Sequence, residues 1–360
     1  MSIRVLFVIT SLERGGSEGQ LVELLTRIHP DHVDATIATV VAARDGRHTE
    51  RLRACNVPQV VLAPRGDSRL RRSATAARRL GRLLRRLRPD VVYAWGEYPS
   101  VLAGPLARLH GIPTVVARRS SGDASPTRGL GRAARWIEAR AMLVTVNSVA
   151  ALEEAERCGV PRGRLRLVRN GHDAGHPSPA PAGEEVRLGY VAGLRPGKGH
   201  RRLLQALREV RANARWRVEL AGTGPLVGEL RAEVRDCGLA ERVRFLGTVD
   251  DIPRFWQERN ACLLLSDLEG SSNALIEAGL AGRPLVATDV PANRELVTPG
   301  SGILVRADDV PGTARRLEEI IDDAELREHL GRGAWEAMQR FEMERMVGGH
   351  LDALAECRGA

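Results

Sequence analysis

The feature that most restricts what this chain can fold into is an alternation. Apolar, β-rich runs at 3–9, 33–41, 57–62, 91–94, 114–117 and 143–146 are separated by stretches with helical spacing. Strands joined through helices lie parallel, so this half of the chain is expected to form a parallel sheet with helices packed on it. The runs are continuous rather than alternating, as strands buried on both faces are. A second series follows at 186–191, 216–221, 243–246, 262–265, 285–287 and 303–305, after a Pro-, Gly-, Ala- and Ser-rich stretch. A length of 360 residues also exceeds what one hydrophobic core usually organises. The expected organisation is an α/β chain with two Rossmann-like, doubly wound domains at 1–172 and 186–338, a linker at 173–185, and a C-terminal helical tail at 339–360 that can pack back on the first domain. Such sheets bind ligands outside the carboxyl ends of their strands, so the chemistry is expected in a central cleft that the two domains face.

Composition excludes several classes. No apolar run approaches the roughly 18 residues needed to span a bilayer. The opening run ends at a Gly-rich turn without a basic leader or a small-residue cleavage site, and reads as a strand rather than a signal peptide. Five cysteines, widely spread and without Cys-x-x-Cys or metal spacing, suit a reducing cytoplasm. A net charge of +9 attracts anions such as nucleotides, phospholipids or acidic glycans. With only 3% aromatic residues and no helix-turn-helix or zinc-finger pattern, nucleic acid is not expected as a partner.

Three segments carry chemistry. In Glu269-Gly-Ser-Ser-Asn273-Ala-Leu-Ile-Glu277, a loop carboxylate precedes a helix start whose natural capping residues are Ser271, Ser272 and Asn273. The amides of Asn273, Ala274 and Leu275 would then point outward, where a phosphate or sugar hydroxyls are welcome. Glu277, one turn on, could accept both hydroxyls of a ribose. In Gly193-Leu-Arg195-Pro-Gly-Lys198-Gly-His200, a lysine on a strand-to-helix turn can reach a diphosphate. Leu12-Glu13-Arg14-Gly15-Gly16-Ser17-Glu18 is a third Gly-rich turn after a strand, and neither a Walker loop nor Gly-x-Gly-x-x-Gly is present. Each segment alone also reads as an ordinary turn or a helix start with dipole-favouring glutamates.

Taken together and in order, the motifs resemble those of family 4 of the retaining glycosyltransferases, which have the GT-B fold. Gly15-Gly16-Ser17-Glu18 resembles the family's Gly-Gly-x-Glu turn, and Arg169-Asn170-Gly171-His172-Asp173 its hinge. The Lys198-Gly199 segment resembles its phosphate loop, and Glu269 through Glu277 its donor motif. Ala221 to Pro225 and Phe245 to Asp251 resemble further family segments, the latter where the nucleobase would be held.

The resemblance implies a retaining, metal-independent transferase of the hexosyl or N-acetylhexosaminyl class. It would move a sugar from a nucleoside diphosphate-sugar to a glycan, lipid-linked or small-molecule acceptor in polysaccharide or cell-envelope synthesis. No cofactor is implied, and uridine diphosphate stands slightly ahead of the other carriers. Lys198 and Glu269 would be catalytic. Gly16, Arg195, Thr248, Val249, Ser272, Asn273, Ala274, Leu275 and Glu277 would join them in binding the donor, in the second domain's sugar-nucleotide site. Gly15, Glu97, Arg118 and Arg119 are the candidates on the acceptor side, which the first domain would supply. Two positions depart from the family: Gly193 stands where its phosphate-loop arginine commonly falls, and Val116-Ala-Arg118-Arg119-Ser120 where relatives often carry a histidine, so an arginine here suits an anionic acceptor.

Two features remain outside these motifs. The stretch 69–88, running from Arg69 to Arg88, is amphipathic, with Leu70, Ala77, Leu80, Leu84 and Leu87 on one face and arginines on the other. It is either a core-facing helix with a solvated basic face or a peripheral contact with the inner face of the membrane. Asp-x-Asp is absent, so no metal site is expected. The alternatives to a transferase are a nucleotide-sugar epimerase and a non-catalytic sugar-nucleotide or glycan-binding protein.

Overall fold

The computed structural model describes residues 2–358 apart from Arg14, Asp45, 120–127, Ala174, Pro179, Ala180 and Ala182, with main chain alone at 128–130. The chain divides into two compact units, Met1–Gly171 together with Met343–Ala360, and His172–Glu342.

The first unit is built on a seven-stranded sheet of β1 (Ile3–Ile9), β2 (Val33–Thr39), β3 (Gln59–Val61), β4 (Val91–Trp95), β5 (Thr114–Arg118), β6 (Leu143–Val146) and β7 (Leu165–Leu167), ordered β3-β2-β1-β4-β5-β6-β7. Its pairings are parallel, with Ile9 level with Trp95 and Trp95 level with Ala117. The strand period of two divides the core. Ile3, Val5, Phe7 and Ile9 pack with Leu21, Leu24 and Leu25 of the helix Gly16–Arg27 and with Met346 and Leu354 of the helix Met343–Arg358. Leu6 and Val8 face Leu80, Leu84 and Leu102 on the other side. The C-terminal helix therefore completes a face of the first sheet, and Tyr93 of β4 reaches its His350 at 2.6 Å.

The second unit carries a six-stranded sheet of β8 (Glu185–Val191), β9 (Arg215–Ala221), β10 (Val243–Gly247), β11 (Ala261–Leu264), β12 (Leu285–Thr288) and β13 (Gly302–Val305), ordered β10-β9-β8-β11-β12-β13. All its pairings are parallel. In each sheet the order reverses once, between β1 and β4 and between β8 and β11. Loops leaving the two central strands diverge there and open a crevice at their carboxyl ends.

Two expectations are corrected. The strand β7 was not anticipated, because Leu165-Arg166-Leu167 is a three-residue edge strand with a charge at its centre. Leu70 was expected on the apolar face of its helix but is 85% exposed. The buried stripe of the helix Arg69–Leu87 is Ala76, Leu80 and Leu84, and Leu70 falls off that line at the helix start.

Candidate active site

The second unit's switch point brings two loops together. After β8 the chain turns through Gly193 to Gly199, with Gly197 at φ +82° and Gly199 at φ +66°. A Cβ at Gly199 would lie 1.8 Å from the Leu265 carbonyl oxygen, so glycine is required both by the left-handed backbone and by the close approach to the end of β11. Tyr190 locks the approach: its hydroxyl donates to the Lys198 carbonyl at 2.6 Å and accepts the Leu265 amide at 2.8 Å. The Asp267 amide donates to the Gly197 carbonyl at 2.9 Å, and Arg202 ties down both the Leu265 carbonyl and the Asp267 carboxylate. The turn is thus held from several sides, and Lys198 Nζ donates to Glu269 Oε1 at 2.7 Å. An ammonium has three N–H donors, so this contact leaves two for a ligand.

Lys198 is the only lysine among 54 lysines and arginines. That count is a signal in the sequence that motif reading passed over. At every other basic position the chain uses a guanidinium, whereas a compact, rotatable point charge is kept here. Beside it, His200 is buried, with neither ring nitrogen hydrogen-bonded. Burial and the Lys198 charge push its pKa down to about 4, so it stays neutral and adds no second positive charge.

Past β11, Ser272 caps the helix Asn273–Leu280, its hydroxyl accepting the Leu275 amide at 3.4 Å. Of the three amides expected to face outward, that of Leu275 is therefore engaged by the cap. Ala274 and Leu275 have buried side chains, so only their main chain can serve a ligand. Glu277 follows one turn on. Its side chain is 27% exposed, and desolvation by the surrounding protein pushes its pKa up to about 8. The nearby Trp256 indole, whose N–H meets no acceptor at hydrogen-bond geometry, pulls weakly the other way. His172 Nδ1 lies 3.9 Å from Glu277 Oε1, and its Nε2 is 3.3 Å from Asn273 Oδ1. Sequence reading placed His172 only in the hinge-like segment; the tertiary fold makes it the partner of both helix residues.

The remaining candidates are spread more widely. Arg195 is exposed on the Lys198 turn, and its Cδ and Nε pass 3.8 Å from where a Cβ of Gly193 would begin. Its side chain thus covers the position where the family's arginine commonly stands. Thr248 and Val249 follow β10, two strands from β8, with Thr248 exposed. A surface cleft of about 530 Å³ is lined by Glu185, Arg187, Arg215 and Arg217. It lies at the amino ends of β8 and β9, the opposite end from the motifs.

In the first unit, Gly15 and Gly16 open the helix Gly16–Arg27, and a Cβ at Gly15 would strike Glu18 Oε2 at 2.3 Å. Arg14 and Ser120, both within motifs read from the sequence, lie outside the described residues. Glu97 begins the helix Glu97–Leu109 after Gly96, whose φ is +101°. Arg118 is 8% exposed, and its guanidinium bridges Glu138 at 2.7 Å and Glu154 at 2.9 Å, so its charge is already met inside the unit. Arg119 lies over the Trp95 ring at 4.0 Å. Among the described residues, no group of three His, Cys, Asp or Glu side chains could hold a metal ion, and no helix is long and apolar enough to cross a membrane.

Comparison with known proteins supplies the context. Residues 14–176 match the family model described as Glycosyltransferase Family 4, and residues 185–323 match that described as Glycosyl transferases group 1. The lipopolysaccharide core biosynthesis glycosyltransferase LpsE of Rhizobium meliloti is 25% identical over 290 residues, spanning 76% of this chain and 78% of the relative. Among solved structures, HepE of Anabaena in complex with UDP-glucose superposes with a TM-score of 0.85 at 22% identity, over 98% of this chain and 100% of the other. The architecture is the GT-B fold of that structure.

Proposed function

Because this chain belongs to the family 4, group 1 glycosyltransferases, we propose that it transfers a sugar from a UDP-sugar to a glycan or lipid-linked acceptor, with retention at the anomeric carbon and without a catalytic metal. The observation that carries this reading is the Lys198–Glu269 pair at the β8–β11 switch point, with Glu277 on the helix that follows. Lys198 meets the diphosphate, Glu269 orients Lys198 and borders the sugar, and Glu277 takes the ribose hydroxyls. Arg195, folded over Gly193, supplies the second cation. UDP is favoured because the structurally similar Anabaena HepE was solved with UDP-glucose.

In the reaction, the bond from the anomeric carbon to the diphosphate oxygen breaks and a bond to the acceptor oxygen forms. The acceptor's proton passes to the leaving phosphate. Negative charge on that phosphate grows as the bond lengthens, so a fixed cation stabilises the transition state more than the ground state. The five cysteines are all free, which suits a reducing compartment, and we place the reaction in the cytoplasm.

The test is a thermal-shift panel of UDP-, GDP-, ADP- and TDP-sugars, followed by transfer assays in excess chelator. A ligand that binds only the folded state raises its apparent stability. UDP-sugars are expected to stand out, and turnover is expected to persist in chelator. Loss of turnover that manganese restores would overturn the metal-free reading.

A further inference from the structure

Arg118 and Arg119 are adjacent arginines with opposite circumstances. Arg118 is matched by two carboxylates, whereas Nε and both terminal nitrogens of Arg119 are buried and none has a hydrogen-bond partner. Burial pushes the Arg119 pKa down to about 10, opposed only by the Tyr93 hydroxyl, so the group is still cationic at neutral pH. Among the described residues, its neighbours offer no counter-charge. Trp95 lies under it at 4.0 Å, and His350, which feels its charge, is buried and held neutral. A guanidinium with five donors, removed from water and left unmatched, is costly unless an acceptor arrives.

Its position in the fold is where a ligand is expected. Trp95 ends β4 level with Ile9 of β1, at the switch point of the first sheet. The Trp95 indole N–H donates to the carbonyl and hydroxyl oxygens of Ser17, at 3.1 and 3.0 Å. Ser17 lies in the first turn of the helix Gly16–Arg27, the turn that also carries the Glu18 carboxylate. Trp95 thus links the unmatched cation to the first turn of that helix, whose positive dipole end is shared with Glu18.

We propose that Arg119, stacked on Trp95 beside the first turn of the helix Gly16–Arg27, binds an oxyanion carried by the acceptor, a phosphate or a carboxylate. This deepens the transferase reading and rests on it, because it takes the donor diphosphate to be held by Lys198 in the other unit.

The experiment saturates the protein with UDP and then titrates inorganic phosphate or acetate, following tryptophan emission and melting temperature. A saturable response is expected for one of these anions. Arg119→Gln should raise its half-saturation by at least about tenfold, as loss of a charge-assisted hydrogen bond implies. Arg119→Lys, which keeps the charge without the fork, should fall between, and UDP affinity should not change in either variant. Response to phosphate alone identifies a phosphomonoester acceptor, and response to acetate a carboxylate. No saturable response in the wild type, or equal half-saturation in wild type and Arg119→Gln, overturns the proposal. Should the Gln variant fail to fold, equality of wild type and Arg119→Lys overturns it instead. Failure of UDP to bind sinks the donor reading, and the same anion titration on Lys198→Ala protein still decides this one.

Discussion

Removing the Lys198 ammonium probes the proposed donor site most directly. Lys198 and Glu269 are 18% and 11% exposed at the side chain, and no second lysine can substitute. Lys198→Ala leaves Glu269 without this cation. At that burial the pair lies between exposed bridges and fully buried ones, so the stability loss should be roughly 1–3 kcal/mol. The catalytic loss should be larger in relative terms, because the cation matters most when the leaving phosphate carries its full charge. A fall in kcat of about 10²–10³-fold is expected, equivalent to about 2.7–4 kcal/mol of transition-state stabilisation. Lys198→Arg should not restore full activity, since a planar fork engages Glu269 bidentately and presents its charge differently. Steady-state measurement of UDP release gives kcat, and melting curves separate folding from catalysis. The lone lysine offers an independent check: acetylating the chain should modify Lys198 and the amino terminus only, and UDP should protect Lys198, as read by peptide mass. A folded Lys198→Ala protein with kcat within about threefold of wild type would refute the reasoning, because an effect of 10²–10³-fold leaves no room for that result.

Three further outcomes are expected. Burial pushes Glu277 up to about 8 from an ordinary value of 4.5, so the folded state keeps a proton that the unfolded chain releases between those values. Stability should therefore fall as pH rises through that window and level off above about 8, while kcat/KM for the donor rises through about 8 as the proposed ribose-accepting carboxylate ionises. Glu277→Gln should flatten both profiles, and superimposable profiles would remove the assignment. Gly199→Ala places a Cβ 1.8 Å from a main-chain oxygen at φ +66°, and should lower stability by at least roughly 1–3 kcal/mol; an unchanged melting temperature would contradict the packing of that turn. If the helix Arg69–Leu87 docks on anionic membrane, the chain will co-sediment with anionic liposomes at low salt and release at high salt, and no co-sedimentation at low salt removes that reading.

The amino-acid sequence by itself determined the strand-helix alternation, hence two parallel sheets, because crossover connections leave no other pairing for such runs. It also contained the local motifs: the glycines at 197 and 199, the Ser272 cap and the lone Lys198 are each legible from local backbone and helix-end chemistry. What it left undecided were contacts between segments far apart in the chain. The 2.7 Å contact of Lys198 with Glu269 joins residues 71 positions apart and exists because β8 and β11 are neighbours in a sheet whose order reverses between them. His172 meets Glu277 and Asn273 only when the start of its unit folds against a helix a hundred residues on. The same holds for the two arginines at the end of β5, which are indistinguishable in sequence. Which one is neutralised by Glu138 and Glu154, and which is left stacked on Trp95 with its nitrogens unmatched, depends on the direction each side chain takes from the end of the strand. Side chains alternate across a strand, so adjacent residues of one type enter different environments, and only the packing of neighbouring elements determines what each environment holds.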